Sequence, residues 1–184
     1  GLSLQYLDFG GGLGIAYEGE NPPTPKDYAD TLIRHSQELG MTLVLEPGRV
    51  IVGASGLLLC RVIRKKTQGH KQFVIVDAGM NDLIRPSLYG SFHHLLPVRK
   101  CEETEVIDLV GPICESADFL AQNREVSRME AGDLVAVMTA GAYGSVLTSN
   151  YNSRPRPAEV LVDGDAFSVI RRRETYEDLI RLEK

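Results

Sequence analysis

The spacing of apolar positions changes about a third of the way along the chain. Residues 4 to 9 form a short, mainly apolar run that ends in Gly10-Gly11-Gly12-Leu13-Gly14. Thr24-Pro25 then marks a helix start, with Thr at the N-cap and Pro at the first helical position. Ala29, Leu32, Ile33, Ser36 and Leu39 follow at helical spacing, and Gly40 supplies a stop. A second strand, Thr42 to Leu45, runs into Glu46-Pro47-Gly48-Arg49. Strand, glycine loop, helix, strand is the order of a βα barrel or a doubly wound sheet. From about residue 55 the pattern becomes runs separated by turns: Leu57 to Arg64, Gln72 to Val76, Glu105 to Val110, Asp133 to Met138, Ala158 to Val162 and Ala166 to Arg171. These predict a β domain. Asp163-Gly164 marks a tight hairpin between the last two, and Thr175 with Asp178 opens a short final helix carrying Leu179 and Leu182. The expected organisation is α/β over residues 1–55 followed by all-β over residues 56–184.

Composition narrows the function classes. With 43% hydrophobic and 24% charged residues the chain has the balance of a packed protein rather than a disordered one. No apolar stretch approaches the roughly 20 residues of a membrane-spanning helix. The start Gly1-Leu2-Ser3-Leu4 has no basic region leading into an apolar signal core, so no membrane association and a cytoplasmic location are expected. A formal charge of -5 weighs against nucleic-acid binding, which rests on cations that neutralise phosphates. The basic runs Arg61 to Lys66 and Arg171 to Arg173 read as solvated strand ends. Cys60, Cys101 and Cys114 are odd in number and lack CxxC spacing, so neither a disulfide framework nor a metal site is expected. The chain opens on a strand without an initiator Met, which suggests residues upstream.

Five segments carry candidate chemistry. Gly10-Gly11-Gly12 after a strand can close backbone N–H groups around an anion such as phosphate. A dinucleotide fingerprint is disfavoured, because Ile15 and Tyr17 stand where the third glycine of either register should be. Glu46-Pro47-Gly48-Arg49 sets a carboxylate and a guanidinium at a strand's C-terminal end, where a βα barrel forms its active site. Glu46 suits a cationic ring nitrogen and Arg49 an anionic group. In Arg85-Pro86-Ser87-Leu88-Tyr89, Pro86 biases Arg85 away from helix, as expected of a loop residue aimed at a ligand. Cys114-Glu115 joins a thiol to a carboxylate in a turn, a pair able to transfer a proton and bind an amine. Tyr143 lies between glycines, its ring free to stack and its hydroxyl free to reach a phosphate or carboxylate. Each segment alone also reads blandly, as a turn, a surface ion pair or a packed thiol.

Their order, LDFGGGLG, EPGR, DAGMNDLIRPSLYG, GPICESADFL and GAYGSVLTSNYNSRPRPAEVLV, resembles the group IV pyridoxal-phosphate (PLP) decarboxylases of the alanine racemase-like fold. These join a PLP-binding βα (TIM-like) barrel to a C-terminal β domain. The resemblance runs from Leu7 to about Val162 and implies C-terminal strands of the barrel followed by a Greek-key-like β-barrel domain. Within the group, Cys-Glu-Ser after Gly-Pro and the Arg-Pro-Ser-Leu-Tyr segment look like the diaminopimelate-specific branch. That branch converts meso-2,6-diaminopimelate to L-lysine and CO2, the last step of lysine biosynthesis. The resemblance assigns Gly10, Gly11 and Gly12 to the cofactor phosphate, Glu46 within Glu46-Pro47-Gly48-Arg49 to the pyridine nitrogen, and Tyr143 to cofactor and substrate. It assigns Arg49, Arg85 and Tyr89 to substrate carboxylate, Glu115 to the distal amino group, and Cys114 to reprotonation of the carbon that loses CO2. It also implies a homodimer whose sites are shared, Cys114 and Glu115 entering the neighbouring subunit's site.

The family's cofactor-bearing lysine lies upstream of the glycine loop, and none of Lys26, Lys65, Lys66, Lys71, Lys100 or Lys184 stands in that context. The chain alone is therefore expected to be inactive. Decarboxylation of ornithine, arginine or carboxynorspermidine, and a noncatalytic regulatory relative, are the alternatives.

Overall fold

The structure, a computed structural model, describes residues 3–36 and 39–183. Gly1, Leu2 and Lys184, named above, lie outside the described residues. The chain begins with β1 (Tyr6–Asp8), α1 (Pro25–Ser36) and β2 (Thr42–Val44). The two strands pair in parallel, Leu7 opposite Leu43. The predicted cap of α1 is present: the Thr24 hydroxyl accepts from the Asp27 N–H at 3.2 Å, and the Asp27 carboxylate accepts from the Thr24 N–H at 3.1 Å. Among the described residues the α/β portion is this one parallel pair with its connecting helix, and no closed βα barrel is present. Little of it is buried. Leu13 is covered, whereas Tyr6, Val44, Leu45 and Ile51 are exposed.

A short helix α2 (Arg49–Val52) and a 3-10 turn lead into the second portion. This comprises β3 (Leu58–Gln68), β4 (Lys71–Val76), α3 (Arg85–Tyr89), β5 (Leu95–Pro97), β6 (Thr104–Val110), β7 (Phe119–Ser127) and β8 (Leu134–Val137). The strands form one six-stranded sheet in the order β5-β8-β3-β4-β6-β7. All neighbours are antiparallel except β4 and β6, and edge strands β5 and β7 approach each other, so the mixed sheet nearly closes into a barrel. Inside it lie Val62, Val74, Val76, Leu83, Ile107, Leu109, Leu120, Met129, Val135 and Val137. Alternating apolar positions on β3, β4 and β6 supply half of these residues. Burying each such side chain contributes about 2 kcal/mol, which makes the sheet the stable body of the molecule.

The hairpin β9 (Glu159–Asp163) and β10 (Ala166–Arg171) and a final helix α4 (Tyr176–Ile180) complete the chain. Asp163 pairs with Ala166, so the two turn residues are Gly164 and Asp165, one position later than predicted; Gly164 has φ +57°. Helix α4 carries the predicted Thr175–Asp178 capping box.

Two further expectations need correction. Arg85 does not lie in a loop: it opens α3, with Pro86 in the first turn, where a missing N–H costs nothing, and Gly90 closing the helix at φ +61°. The basic run Arg61 to Lys66 lies mid-strand in β3 rather than at a strand end, and Lys65 pairs with Glu105 at 2.8 Å.

Glycine lets the two portions meet. Gly141 donates its N–H to the Gly53 carbonyl at 3.1 Å, and Ala140 donates to that of Gly56 at 2.7 Å. A Cβ on Gly141 would lie 1.9 Å from the Val52 carbonyl oxygen. Gly141→Ala is expected to destabilise the fold by about 3 kcal/mol, since no flexible side chain is there to yield; denaturant titration against Gly14→Ala, where nothing lies within 4 Å and φ, as at Gly141, is not positive, checks this.

Candidate active site

The C-terminal ends of β1 and β2 bring the glycine run and Glu46 side by side. Gly10 and Gly12 have φ of +67° and +84°. The Glu46 N–H donates to the Gly10 carbonyl at 2.8 Å, and a Cβ on Gly11 would sit 2.7 Å from the Glu46 carbonyl oxygen. Glycine at 11 therefore allows the two loops to touch. The Glu46 side chain is exposed. After Pro47, Gly48 leads directly into α2, which begins with Arg49.

The contact of α2 with Gly141 sets Arg49 beside Tyr143: the guanidinium carbon lies 5.5 Å from the ring centroid. Tyr143 has φ +60°, a left-handed backbone that costs a non-glycine residue roughly 1–2 kcal/mol. Such strain persists where surrounding structure imposes it and clusters at functional sites. Gly144 accommodates the turn, since a Cβ there would lie 2.2 Å from the Ala140 carbonyl oxygen.

Arg85 reaches the same ring, its guanidinium carbon 5.9 Å from the Tyr143 centroid. It is only 6% exposed, and among the described residues it forms no ion pair with any carboxylate. Its partners are uncharged or aromatic. The Tyr17 hydroxyl accepts from Nη1 at 2.9 Å, the Tyr17 ring lies 4.9 Å from the guanidinium carbon, and His93 Nε2 stands 3.5 Å from Nη1. A buried cation without a counter-ion is costly unless it is paired. The arrangement thus presents an unneutralised positive charge suited to an anionic ligand.

The state of His93 follows from its neighbours. Nδ1 is 2.8 Å from the Met138 carbonyl, which only accepts, so Nδ1 carries the proton and Nε2 offers its lone pair to Arg85. Burial, followed by the nearby Arg85 and Arg124, pushes the imidazole below its usual pKa of 6.5. The unfolded chain consequently binds a proton here that the folded chain resists. Stability is full above about 6.5 and falls as pH drops through that value toward the folded pKa. Denaturation midpoints between pH 7.5 and 5 are expected to fall more steeply for the unsubstituted chain than for His93→Gln.

The Cys114–Glu115 turn is built on Asp118. This carboxylate is 4% exposed and accepts the Ile113 N–H at 2.6 Å and the Met80 N–H at 2.7 Å. Gly79 and Gly111 leave room for it, because a Cβ at either would come within 3 Å of a carboxylate oxygen. Cys114 and Glu115 themselves are exposed, and Glu115 accepts from the Tyr151 hydroxyl at 3.3 Å. The negative charge of Glu115 raises the Tyr151 pKa, so the phenol stays protonated. Ser87 of α3 donates to the Ala117 carbonyl, fixing the helix that carries Arg85 and Tyr89 to this turn. Tyr89 is exposed.

Apart from Tyr89, exposed on α3 and with its side chain in no hydrogen bond or ring contact among the described residues, the residues assigned roles above fall into three groups. Arg49, Arg85 and Tyr143 form one cluster; Gly10, Gly11, Gly12 and Glu46 adjoin at the strand ends; Cys114 and Glu115 stand on a separate exposed turn. Among the described residues no hydrogen bond, ion pair or ring contact links that turn's Cys114 or Glu115 to Arg49, Arg85 or Tyr143. Tyr17, His93, Asp118 and Tyr151 escaped the sequence reading. A depression of about 600 Å³ lined by Arg156, Arg171, Arg172, Glu174 and Asp178 shares none of these residues. Its Arg156, Arg171 and Arg172 are already paired with Glu174, Glu159 and Asp178.

Residues 27–141 match the model of the pyridoxal-dependent decarboxylase C-terminal sheet domain, and the chain belongs to that family. It is 49% identical to a diaminopimelate decarboxylase of Aquifex aeolicus, over 98% of this chain and 43% of that protein. It is 50% identical to the diaminopimelate decarboxylase of Archaeoglobus fulgidus, over 100% of this chain and 46% of that protein. Among solved structures, diaminopimelate decarboxylase from Helicobacter pylori complexed with L-lysine superposes with a TM-score of 0.92 at 44% identity, over 98% of this chain and 45% of that one. The chain thus spans a little under half the length of the relatives it matches. No helix among the described residues is long and apolar enough to cross a membrane.

Proposed function

We propose that this chain supplies the C-terminal half of a cytoplasmic, PLP-dependent carboxy-lyase that converts meso-2,6-diaminopimelate to L-lysine and CO2. In this reading residues 1–55 complete a βα barrel contributed mainly by upstream sequence, and residues 56–184 form the β domain. The observation that carries it is the buried Arg85 guanidinium, which pairs with no carboxylate among the described residues. Relatives at 43–51% identity across the chain bear the name diaminopimelate decarboxylase, which agrees with a substrate rich in carboxylate.

The donor set fits the cofactor. Gly11 and Gly12 have backbone N–H groups without a hydrogen-bond partner among the described residues, at a strand end suited to its phosphate; Gly10, whose own N–H goes to the Asp8 carboxylate at 2.7 Å, shapes the turn at φ +67°, and the exposed Glu46 suits the protonated ring nitrogen. PLP, when bound, supplies the electron sink that makes loss of CO2 feasible. Arg49 and Arg85, with the exposed Tyr89, orient substrate carboxylate, and the ring centroid of Tyr143 lies 5.5 and 5.9 Å from the two guanidinium carbons. Glu115 accepts the distal ammonium group. Cys114 donates its thiol proton to the substrate carbon after CO2 leaves. Because Cys114 and Glu115 are exposed and, among the described residues, share no hydrogen bond, ion pair or ring contact with Arg49, Arg85 or Tyr143, they act in the site of a second copy, which makes the working unit a homodimer.

The test is CO2 release by this chain joined to its barrel half and loaded with PLP, with meso-diaminopimelate, ornithine and arginine assayed in parallel. Release from diaminopimelate with formation of lysine is expected. Preferential release from ornithine or arginine would refute the substrate assignment, and release from none would refute the enzyme.

A further inference from the structure

We propose that Tyr17 and His93 are positioning residues for Arg85, holding its guanidinium in place without neutralising it so that its charge remains for a ligand carboxylate. The inference rests on the reading of Arg85 as a carboxylate site and extends it to two residues outside the five candidate segments.

Three observations carry it. Tyr17 contacts the guanidinium twice, through its hydroxyl at 2.9 Å and through its ring face at 4.9 Å, which fixes both position and plane. His93 is fully buried, and its proton is committed to the Met138 carbonyl, so the ring turns a lone pair rather than a charge toward Arg85. Tyr17 and His93 also pack edge to face, ring centroids 5.6 Å apart, which makes the pair one support. An aspartate or glutamate in either place would hold Arg85 more strongly but would cancel the charge that binds ligand. Tyr17 itself is anchored, because Glu20 accepts the Tyr17 and Glu18 N–H groups at 2.7 and 2.6 Å. The glycine-loop extension is thereby brought to the sheet domain at the residue that needs support.

The test uses the chain joined to its barrel half, with Tyr17→Phe, His93→Gln, His93→Leu and Arg85→Gln. Calorimetric binding to the cofactor-free protein is measured for pimelate, a diacid without amines, and cadaverine, a diamine without carboxylates. KM and kcat for diaminopimelate are measured on the loaded enzyme. Tyr17→Phe and His93→Leu are expected to weaken pimelate at least about tenfold, the lower end of what one hydrogen bond to a charged group is worth, to leave cadaverine unchanged, and to raise KM with little loss of kcat. His93→Gln, which restores an acceptor, is expected to recover most of the loss. Equal weakening of both probes would mean a merely structural role and overturn the proposal. So would full pimelate affinity in Tyr17→Phe and His93→Leu while Arg85→Gln loses it. If Arg85→Gln itself leaves pimelate binding intact, the carboxylate reading of Arg85 fails and the inference falls with it.

Discussion

Arg85→Gln is expected to lower kcat/KM for diaminopimelate by about a thousandfold in the assembled protein of the proposed function, the loss that follows when a buried, charge-assisted contact to a carboxylate is replaced by a neutral amide. The effect is large because, among the described residues, the groups in direct contact with Arg85 carry no charge: Tyr17 and His93 approach it with a hydroxyl, a ring face and a lone pair. Arg85→Lys recovers little, since a lysine ammonium offers no plane for Tyr17 and Tyr143 to face and no fork for a carboxylate. Steady-state kinetics with both variants checks this. The fold is expected to survive, because both substitutions remove or reshape a buried charge that has no counter-ion among the described residues.

Cys114→Ala is expected to lose about a hundred- to ten-thousandfold in turnover, the range for removing a positioned proton donor, with substrate binding retained. Its more informative use is in combination. If Cys114 acts in the site of a second copy, mixing Arg85→Gln chains with Cys114→Ala chains creates heterodimers in which one of two sites has both residues intact. Random reassortment of equal amounts then restores roughly a quarter of the unsubstituted activity, from two preparations that are each nearly inactive. Sites contained within single chains would restore none. The geometry already separates the two groups, with Cys114 and Glu115 on an exposed turn held by Asp118, and Arg49, Arg85 and Tyr143 gathered around one ring.

Much of the architecture was legible because regular patterning dominates where the core lies. Val74 and Val76 on β4 and Ile107 and Leu109 on β6 alternate inward, and both strands were found within a residue of their ends. Strand β7 was missed for a physical reason. Asn123 adopts φ +50° in mid-strand, its N–H taken by the Asp108 carboxylate at 2.7 Å, and this irregularity breaks the alternation on which recognition depends. Strand β5 escaped as a three-residue element ending in Pro97. Pro86 misled in the opposite direction, since the same ring that disfavours helix before it is tolerated in a helix's first turn.

The candidate site divides along the same line. Arg49, Arg85, Cys114, Glu115 and Tyr143 lie in short segments whose side-chain chemistry is conspicuous. Tyr17 was noted only as the residue standing where a glycine fingerprint fails, and His93 lies in Ser91-Phe92-His93-His94, which has no pattern of its own. Their role depends on a meeting across 68 and 8 residues of sequence with Arg85, a fact of tertiary structure alone. Asp118 was likewise invisible, because its function is to accept backbone N–H groups that any sequence would provide.

The most direct test of the central claim, that Arg85 is kept buried and unneutralised for a ligand carboxylate, is a crystal structure of the assembled enzyme with and without bound pimelate or L-lysine. The account predicts a ligand carboxylate about 2.8 Å from the Arg85 guanidinium, with Tyr17 and His93 unmoved from their present contacts and no protein carboxylate paired with Arg85 in the ligand-free form. An aspartate or glutamate from the barrel half or from a second copy, bridged to Arg85 in both structures, would contradict it.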